Sequence, residues 1–282
     1  MSVEQAARQL IEQLRPLYGA GEAWSITRIV FEDAFGLRHL HSHVPLPEAQ
    51  ARQLQSIARR LLDWEPVQYV LGQADFYGLK FRVDQRVLIP RQETEELAHW
   101  ILEAHSAAPP LRLLDIGTGS GCIPITLKKQ RPNWQVEALD VSEDALALAR
   151  ENAEWQGATV SFYQIDILQA QDWAKLPMYD ILLSNPPYIP PSEQEVVPPN
   201  VLRYEPRLAL FTQVEDALLF YRTIGEMALE RLSPGGWLYF ELNEFSAGEV
   251  PGLLERQGFE ELALREDLQG KLRMARGRKP LG

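Results

Sequence analysis

"LLDIGTGSG" (residues 113–121) passes from an apolar run into glycines at every second position. The apolar part reads as a strand buried on both faces, and "CIPITLKKQ" behind it reads as a helix. Gly117, Gly119 and Gly121 therefore occupy a strand-to-helix turn. Glycines there let the backbone approach a ligand whose polar groups meet the free N–H groups of the helix start. Taken alone, G-x-G-x-G is a weak signal, and a purely structural turn also explains it.

Downstream of the turn the alternation continues through "WQVEALDV", "SEDALALARENAEWQ", "VSFYQID" and "YDILLSN". This strand–helix rhythm, starting at Leu111, predicts a parallel sheet with helices on both faces. The tail departs from it. "DALLFYRTIGEMALERL" reads as a helix, "GGWLYFEL" as a strand, and "FEELALRED" with "KLRMARGR" as an antiparallel hairpin. Upstream, three stretches before Gly72 carry helical spacing, with starts expected at Ser25 and Pro47. "ADFYGLKFRVDQRVLIP", interrupted at Gly78, suggests a β-hairpin. The expected organisation is a helical domain over 1–72, a hairpin linker over 73–90 and an α/β domain over 91–282.

Bulk properties fit this division. The 282 residues, 45% of them hydrophobic, suffice for one sizeable α/β core plus a smaller domain. A formal net charge of -11 opposes non-specific attraction to phosphate backbones, so no direct nucleic-acid partner is expected. Cys122 is the only cysteine, which leaves no disulfide framework or cysteine-rich zinc site within one chain. Charges interrupt the apolar pattern of "MSVEQAARQLIEQLRPLYG", so no signal peptide, membrane span or membrane partner is expected, and the cytoplasm is the expected compartment. His39, His41 and His43 in "RHLHSH" would suggest a metal only on a strand; between predicted helices they read as an exposed loop.

Two aspartates sharpen the glycine signal. Asp140 ends the second strand of the alternating region in "EALDVS" and Asp166 the third in "YQIDI". Carboxylates at neighbouring strand ends line the crevice where such sheets bind ligands, so Asp140 fits a ribose and Asp166 an adenine amino group. A helix N-cap is the competing reading for each. Asp115, just before the loop, would repel a pyrophosphate but suit a cationic amino-acid-like ligand. S-adenosyl-L-methionine fits that pattern better than a dinucleotide, although Asp115 also reads as a plain strand-end carboxylate.

"SNPPYI" (residues 184–189) closes the fourth strand of this region on an amide, two prolines and a tyrosine. A planar amide or exocyclic amine is a poor nucleophile because its lone pair is delocalised. The side-chain carbonyl of Asn185 and the backbone carbonyl of Pro186 can accept both hydrogens of an –NH2 group and aim that lone pair at a methyl carbon. Pro186 and Pro187 stiffen the loop and remove competing donors, and Tyr188 can stack on the planar group. Asn-Pro-Pro in isolation also reads as a turn. Its place after a fourth strand, behind the glycine loop and both aspartates, favours a site.

"NPPY" in this place is shared by methyltransferases acting on planar nitrogen, and about seven strands ending in a hairpin resembles the class I methyltransferase architecture, a Rossmann-like α/β fold. From about Pro66 to Arg273 the chain resembles the release factor glutamine methyltransferase family. The words that carry this are "PVQYVLG" (66–72), "FYGLKFRVDQRVLIPRQETEEL" (76–97), "LDIGTGSGCI" (114–123), "SNPPYIP" (184–190) and "YEPRLAL" (204–210). The resemblance implies methyl transfer from S-adenosyl-L-methionine, with S-adenosyl-L-homocysteine as product. Its implied target is the glutamine of the Gly-Gly-Gln motif of class 1 peptide-chain release factors.

By the same resemblance, Asn185, Pro186, Pro187 and Tyr188 meet the substrate amide, with Asn185, Pro186 and Tyr188 as the catalytic group. Cofactor contacts fall to Asp115, Gly117, Thr118, Gly119, Gly121, Asp140, Val141, Asp166, Ile167 and Asn185. Arg91, Glu93 and Thr94 come near the substrate. Gln92, Ala217 and Asn243 depart from the family pattern, which usually has proline at the first and glycine at the other two. Two other readings stay open: a methyltransferase for an exocyclic amine of DNA or ribosomal RNA, and a non-catalytic S-adenosylmethionine-binding module.

Overall fold

The computed structural model describes residues 1–106, 109–244 and 246–282. It divides into two compact units, Met1–Gln73 with Pro199–Tyr204, and Ala74–Pro198 with Glu205–Gly282. The first is helical, with α1 (Val3–Phe35), α2 (Glu48–Leu62), α3 (Val67–Leu71) and the later Pro199–Tyr204, α8 in chain order. Val3, Ala7, Leu10 and Leu14, three or four apart on α1, pack with Leu54, Ile57 and Leu61 of α2 into one core. Arg203 on α8 pairs with Asp63 at 2.7 Å, and the Tyr204 hydroxyl donates to the same carboxylate at 3.0 Å. These bonds explain why the segment groups with this unit.

Pro47 stands at the N-cap of α2 as the sequence suggests, but no helix starts at Ser25. The helix breaks at Gly19 instead (φ 78°, ψ 171°). Glycine leaves helical geometry at little steric cost, whereas buried Ala23, Ile26 and Thr27 carry the packed face straight past Ser25. His39, His41 and His43 lie in the irregular connection between α1 and α2.

Next in the chain comes a hairpin, β1 (Gln73–Phe76) and β2 (Leu79–Arg82), which belongs to the second unit from Ala74 onward. Its turn residues Tyr77 and Gly78 both have positive φ (52° and 74°), the signature of a two-residue hairpin loop. There follow α4 (Gln92–Ala104), β3 (Arg112–Ile116), α5 (Cys122–Gln130), β4 (Gln135–Asp140), α6 (Glu143–Gln156), β5 (Ser161–Gln164), α7 (Ala170–Trp173) and β6 (Tyr179–Ser184). After α9 (Arg207–Leu210) come α10 (Leu219–Arg231), β7 (Leu232–Glu241), α11 (Glu249–Gln257), β8 (Glu260–Glu266) and β9 (Leu272–Arg278).

Seven strands pair in the order β5-β4-β3-β6-β7-β9-β8. The first five are parallel; β9 runs antiparallel to β7 and β8 antiparallel to β9. The closing hairpin read from the sequence is thus present, with its second strand inserted between β7 and β8. One boundary differs: β5 stops at Gln164, so Asp166 lies two residues beyond the strand.

Alternate residues face opposite layers, as a two-sided sheet requires. Leu114, Leu182, Leu238 and Phe240 join Tyr221, Ile224 and Met227 of α10 in one core. Leu113, Ile181, Leu183 and Tyr239 join Leu97 and Ile101 of α4 and Ile125 of α5 in the other. Continuous apolar runs such as "DILLS" follow from burial on both faces.

Asn152 on α6 ties the hairpin and the glycine turn to this core. Its Oδ1 accepts the Arg82 amide at 2.7 Å, while its Nδ2 donates to the Arg82 carbonyl at 3.0 Å and the Ser120 carbonyl at 2.9 Å. The side chain is fully buried, so losing it strands polar groups away from water. Asn152→Ala is expected to lower unfolding stability by about 3 kcal/mol in urea titrations. An unchanged midpoint would remove Asn152 from this role.

Candidate active site

Strand register brings the motif loops together. Ile116 aligns with Leu139 on one side and Ser184 on the other, and Asp140 aligns with Gln164. The loops after β3, β4, β5 and β6 therefore open on one edge of the sheet. From β3 the chain winds outward to β5, then returns to β6 and winds the other way to β7, which leaves a crevice at the reversal.

The pocket in that crevice takes Gly117, Thr118 and Gly119 from the loop after β3, and Asp140 and Val141 from the end of β4. Asp166 and Ile167 come from beyond β5, and Asn185, Pro186 and Pro187 from beyond β6. Arg91 and Thr94, at the start of α4, complete the expected residues that line it. Asp115, Gly121, Glu93 and Tyr188 are not among the lining residues.

Each of those four has its own placement. Gly121 is the N-cap of α5 with φ 77°, and a Cβ there would meet Ala149 Cβ at 3.1 Å and Ile125 Cδ1 at 3.0 Å. Its need for glycine is thus backbone conformation and helix packing. By contrast, a Cβ on Gly117 or Gly119 meets nothing within 4 Å among the described residues, although both have positive φ. Tyr188 packs against the α10 side of the core, and burial pushes its hydroxyl up to about 12. Glu93 sits in the first turn of α4.

Asp115 is fully buried at the end of β3, and among the described residues neither carboxylate oxygen has a hydrogen-bond partner. The hydroxyl of pocket-lining Thr118 is also unpartnered. Burial raises the Asp115 carboxyl to about 7; the nearby Thr118 hydroxyl, though outside good hydrogen-bond geometry, opposes the rise, and Asp140 adds to it. Asp140 is engaged differently: its oxygens accept the Gly119 amide at 2.9 Å and the Ser142 amide at 3.0 Å. Burial raises its pKa too, while those two bonds oppose the rise. The helix cap itself is Ser142, so Asp140 braces the glycine loop and keeps lone pairs for a ligand. Asp166 accepts the Leu168 amide at 3.0 Å in a local turn, and the cap of α7 is Gln169.

On the β6 side, Ser184 donates to the Ile116 carbonyl at 2.7 Å, linking the two loop roots. The Asn185 Nδ2 donates to Thr94 Oγ1 at 3.3 Å. Beyond the prolines, the Ile189 amide donates to Leu210 at 3.2 Å and the Thr212 amide to Ile189 at 2.9 Å, which anchors the loop.

Two acids went unassigned in the sequence. Buried Glu205, in "YEPRLAL", accepts the Ile89 amide at 3.1 Å and the Arg91 guanidinium at 2.5 Å. It fixes the chain entering α4. Glu241 ends β7 and accepts Thr94 Oγ1–H at 2.6 Å. The available signal was a lone carboxylate in the apolar run "WLYFEL".

A largely parallel seven-stranded sheet with an antiparallel closing hairpin, and a glycine-lined pocket at its reversal point, defines a class I methyltransferase. Residues 96–200 match the family model described as Methyltransferase small domain, and residues 5–72 match PrmC N-terminal domain. The release factor glutamine methyltransferase of Flavobacterium psychrophilum is 40% identical over 97% of this chain and 98% of its own. That of Bacteroides thetaiotaomicron is 41% identical over 93% and 95%. The crystal structure of a methyltransferase from Pyrococcus furiosus shares the fold at TM-score 0.52 and 18% identity, covering 83% of this chain and all of that one. The chain belongs to the release factor glutamine methyltransferase family, and it is an S-adenosylmethionine-dependent methyltransferase. Among the described residues, no helix is long and apolar enough to cross a membrane.

Proposed function

We propose that this chain moves a methyl group from S-adenosyl-L-methionine to the side-chain amide nitrogen, N5, of the glutamine in the Gly-Gly-Gln motif of class 1 release factors. The observation that carries the reading is Asn185: it lines the pocket at the root of a proline-stiffened loop, with its amide nitrogen already bonded to Thr94. Its carbonyl is then the end left for a substrate –NH2 group.

The residues around the pocket fit the cofactor. An unpaired Asp115 carboxylate and an unpaired Thr118 hydroxyl suit a cationic amino-acid end, and the open space over Gly117 and Gly119 admits it. Asp140 is assigned to the ribose and Asp166 to the adenine amino group, flanked by Val141 and Ile167. When bound, S-adenosyl-L-methionine supplies an electrophilic methyl carbon; its transfer forms the N–C bond, breaks the S–C bond to leave S-adenosyl-L-homocysteine, and releases one amide proton.

The protein's own part is orientation. Asn185 Oδ1 and the Pro186 carbonyl take the two amide hydrogens, which turns the nitrogen lone pair out of conjugation and toward the pocket. Fixing that geometry can supply roughly 7–11 kcal/mol of a barrier, so no strong base is needed beside the nitrogen. Pro186 and Pro187 offer no N–H to compete for those acceptors.

The test is a choice of acceptors. Offered labelled S-adenosyl-L-methionine with recombinant release factor, duplex DNA and ribosomal RNA, the enzyme is expected to label the protein at least about a hundredfold faster. Labelling of either nucleic acid at a comparable rate would overturn the substrate assignment.

A further inference from the structure

Glu241 is 3% exposed; its carboxylate accepts the short contact from Thr94, while its backbone carbonyl accepts the Tyr221 hydroxyl at 3.2 Å. Thr94 is 4% exposed and stands between Glu241 Oε2 at 2.6 Å and Asn185 Nδ2 at 3.3 Å. A threonine hydroxyl has a single proton. Committed to a buried carboxylate, that proton leaves only lone pairs facing Asn185. The Asn185 amide must then present its NH2 to Thr94 and its carbonyl away from it.

We infer that Thr94 and Glu241 form a positioning pair that fixes which end of the Asn185 amide meets the substrate. The inference rests on the reading of Asn185 as acceptor for a substrate amide. Without the pair, the two amide orientations differ only by a half-turn, and one of them sets NH2 against NH2. Thr94 and Glu241 are 147 positions apart in sequence, so the arrangement exists only in the folded sheet.

Protonation of Glu241 would reverse the relay. A neutral carboxyl can donate to Thr94, whose own proton then turns to Asn185 and favours the wrong amide orientation. Burial lifts the Glu241 carboxyl to about 7; the Thr94 bond opposes this, Glu93 adds to it, and Arg273 and Arg91 oppose it. Tyr188, Tyr221 and Cys122 also face this carboxylate. Turnover should therefore fall on the acid side of about pH 7.

Four measurements on the full chain test the pair. Thr94→Val is expected to lower kcat on the release factor by about 10- to 100-fold, with KM for the release factor and Kd for S-adenosyl-L-methionine within about threefold. Thr94→Ser restores most of kcat. Glu241→Gln keeps an acceptor but does not titrate, so the acid fall of kcat at saturating cofactor disappears. By NMR on the cofactor-free protein, the Asn185 side-chain NH2 exchanges with water about tenfold faster in Thr94→Val than in wild type or Thr94→Ser.

A Thr94→Val variant that raises KM with kcat intact would reduce Thr94 to a substrate contact and overturn the inference. So would unchanged NH2 exchange. If wild type fails to methylate any release factor, the functional reading falls by itself, and the exchange rates alone decide the pair: faster in Thr94→Val supports it, equal rates overturn it.

Discussion

Asn185→Ala is expected to lower the rate of release-factor methylation by about 10²–10³-fold, with the affinity for S-adenosyl-L-methionine changed only a few-fold. The size follows from what is removed. Alanine keeps the loop and its prolines but takes away one of the two carbonyls proposed to hold the substrate amide, so its nitrogen would regain conjugation. That loss is felt in the transition state and little in cofactor binding. Single-turnover methyl transfer, beside cofactor binding by calorimetry, separates the two quantities. A variant that binds cofactor normally and still transfers at the wild-type rate would leave the amide without a role.

The second large effect is expected at Asp115. Its carboxyl, fully buried and unpartnered, is raised to about 7 by burial. Between about pH 4 and pH 7 the folded chain thus holds a proton that the unfolded chain has released, and stability falls as pH rises through that window. Above it the unliganded protein carries the full penalty, on the order of a few kcal/mol. Asp115→Asn removes it, so the cofactor-free variant should melt several degrees higher at pH 8 and about equally at pH 4. Glu241, also raised to about 7 by burial, keeps its own share of the slope.

Cofactor binding should move the opposite way. Losing the negative charge proposed to attract the cationic ligand end from behind the pocket wall is expected to weaken S-adenosyl-L-methionine by about 10- to 100-fold. The wild type should also lose affinity as pH falls below about 7, and the variant should not. Melting curves across pH, with and without cofactor, test both signs. A destabilised Asp115→Asn with unchanged affinity would make Asp115 an ordinary structural acid.

The parts of this molecule that were legible in sequence are those whose cause is local. Apolar runs gave β3 and β6, glycine and proline marked the turns, and the "LDIGTGSG" and "SNPPY" words fell at strand ends as expected; that those two strands are neighbours appears only in the folded sheet. Where local signals competed, the outcome followed packing. Ser25 looked like a helix start, but the buried face through Ile26 and Thr27 carries the helix across it, and Gly19 takes the break. Gly121 looked like a third ligand contact, yet its glycine is required by Ala149 on α6.

What sequence could not deliver is pairing across long separations. Glu205 meets Arg91 across 114 positions and Glu241 meets Thr94 across 147, and no spacing rule reaches that far. Both acids stand in quoted stretches, and only the folded chain shows which partner each one serves. The state of Asp115 was likewise hidden, since a strand-end carboxylate becomes an unpaired buried one only after the loop folds over it.

The methyl group is expected to land on an amide nitrogen of a protein. The most direct measurement is tandem mass spectrometry of a recombinant release factor after reaction with this enzyme and labelled S-adenosyl-L-methionine. A single added methyl is expected on the side chain of the Gly-Gly-Gln glutamine, absent when that glutamine is replaced by alanine. A methyl on any other residue, or one that survives the alanine replacement, would contradict that expectation.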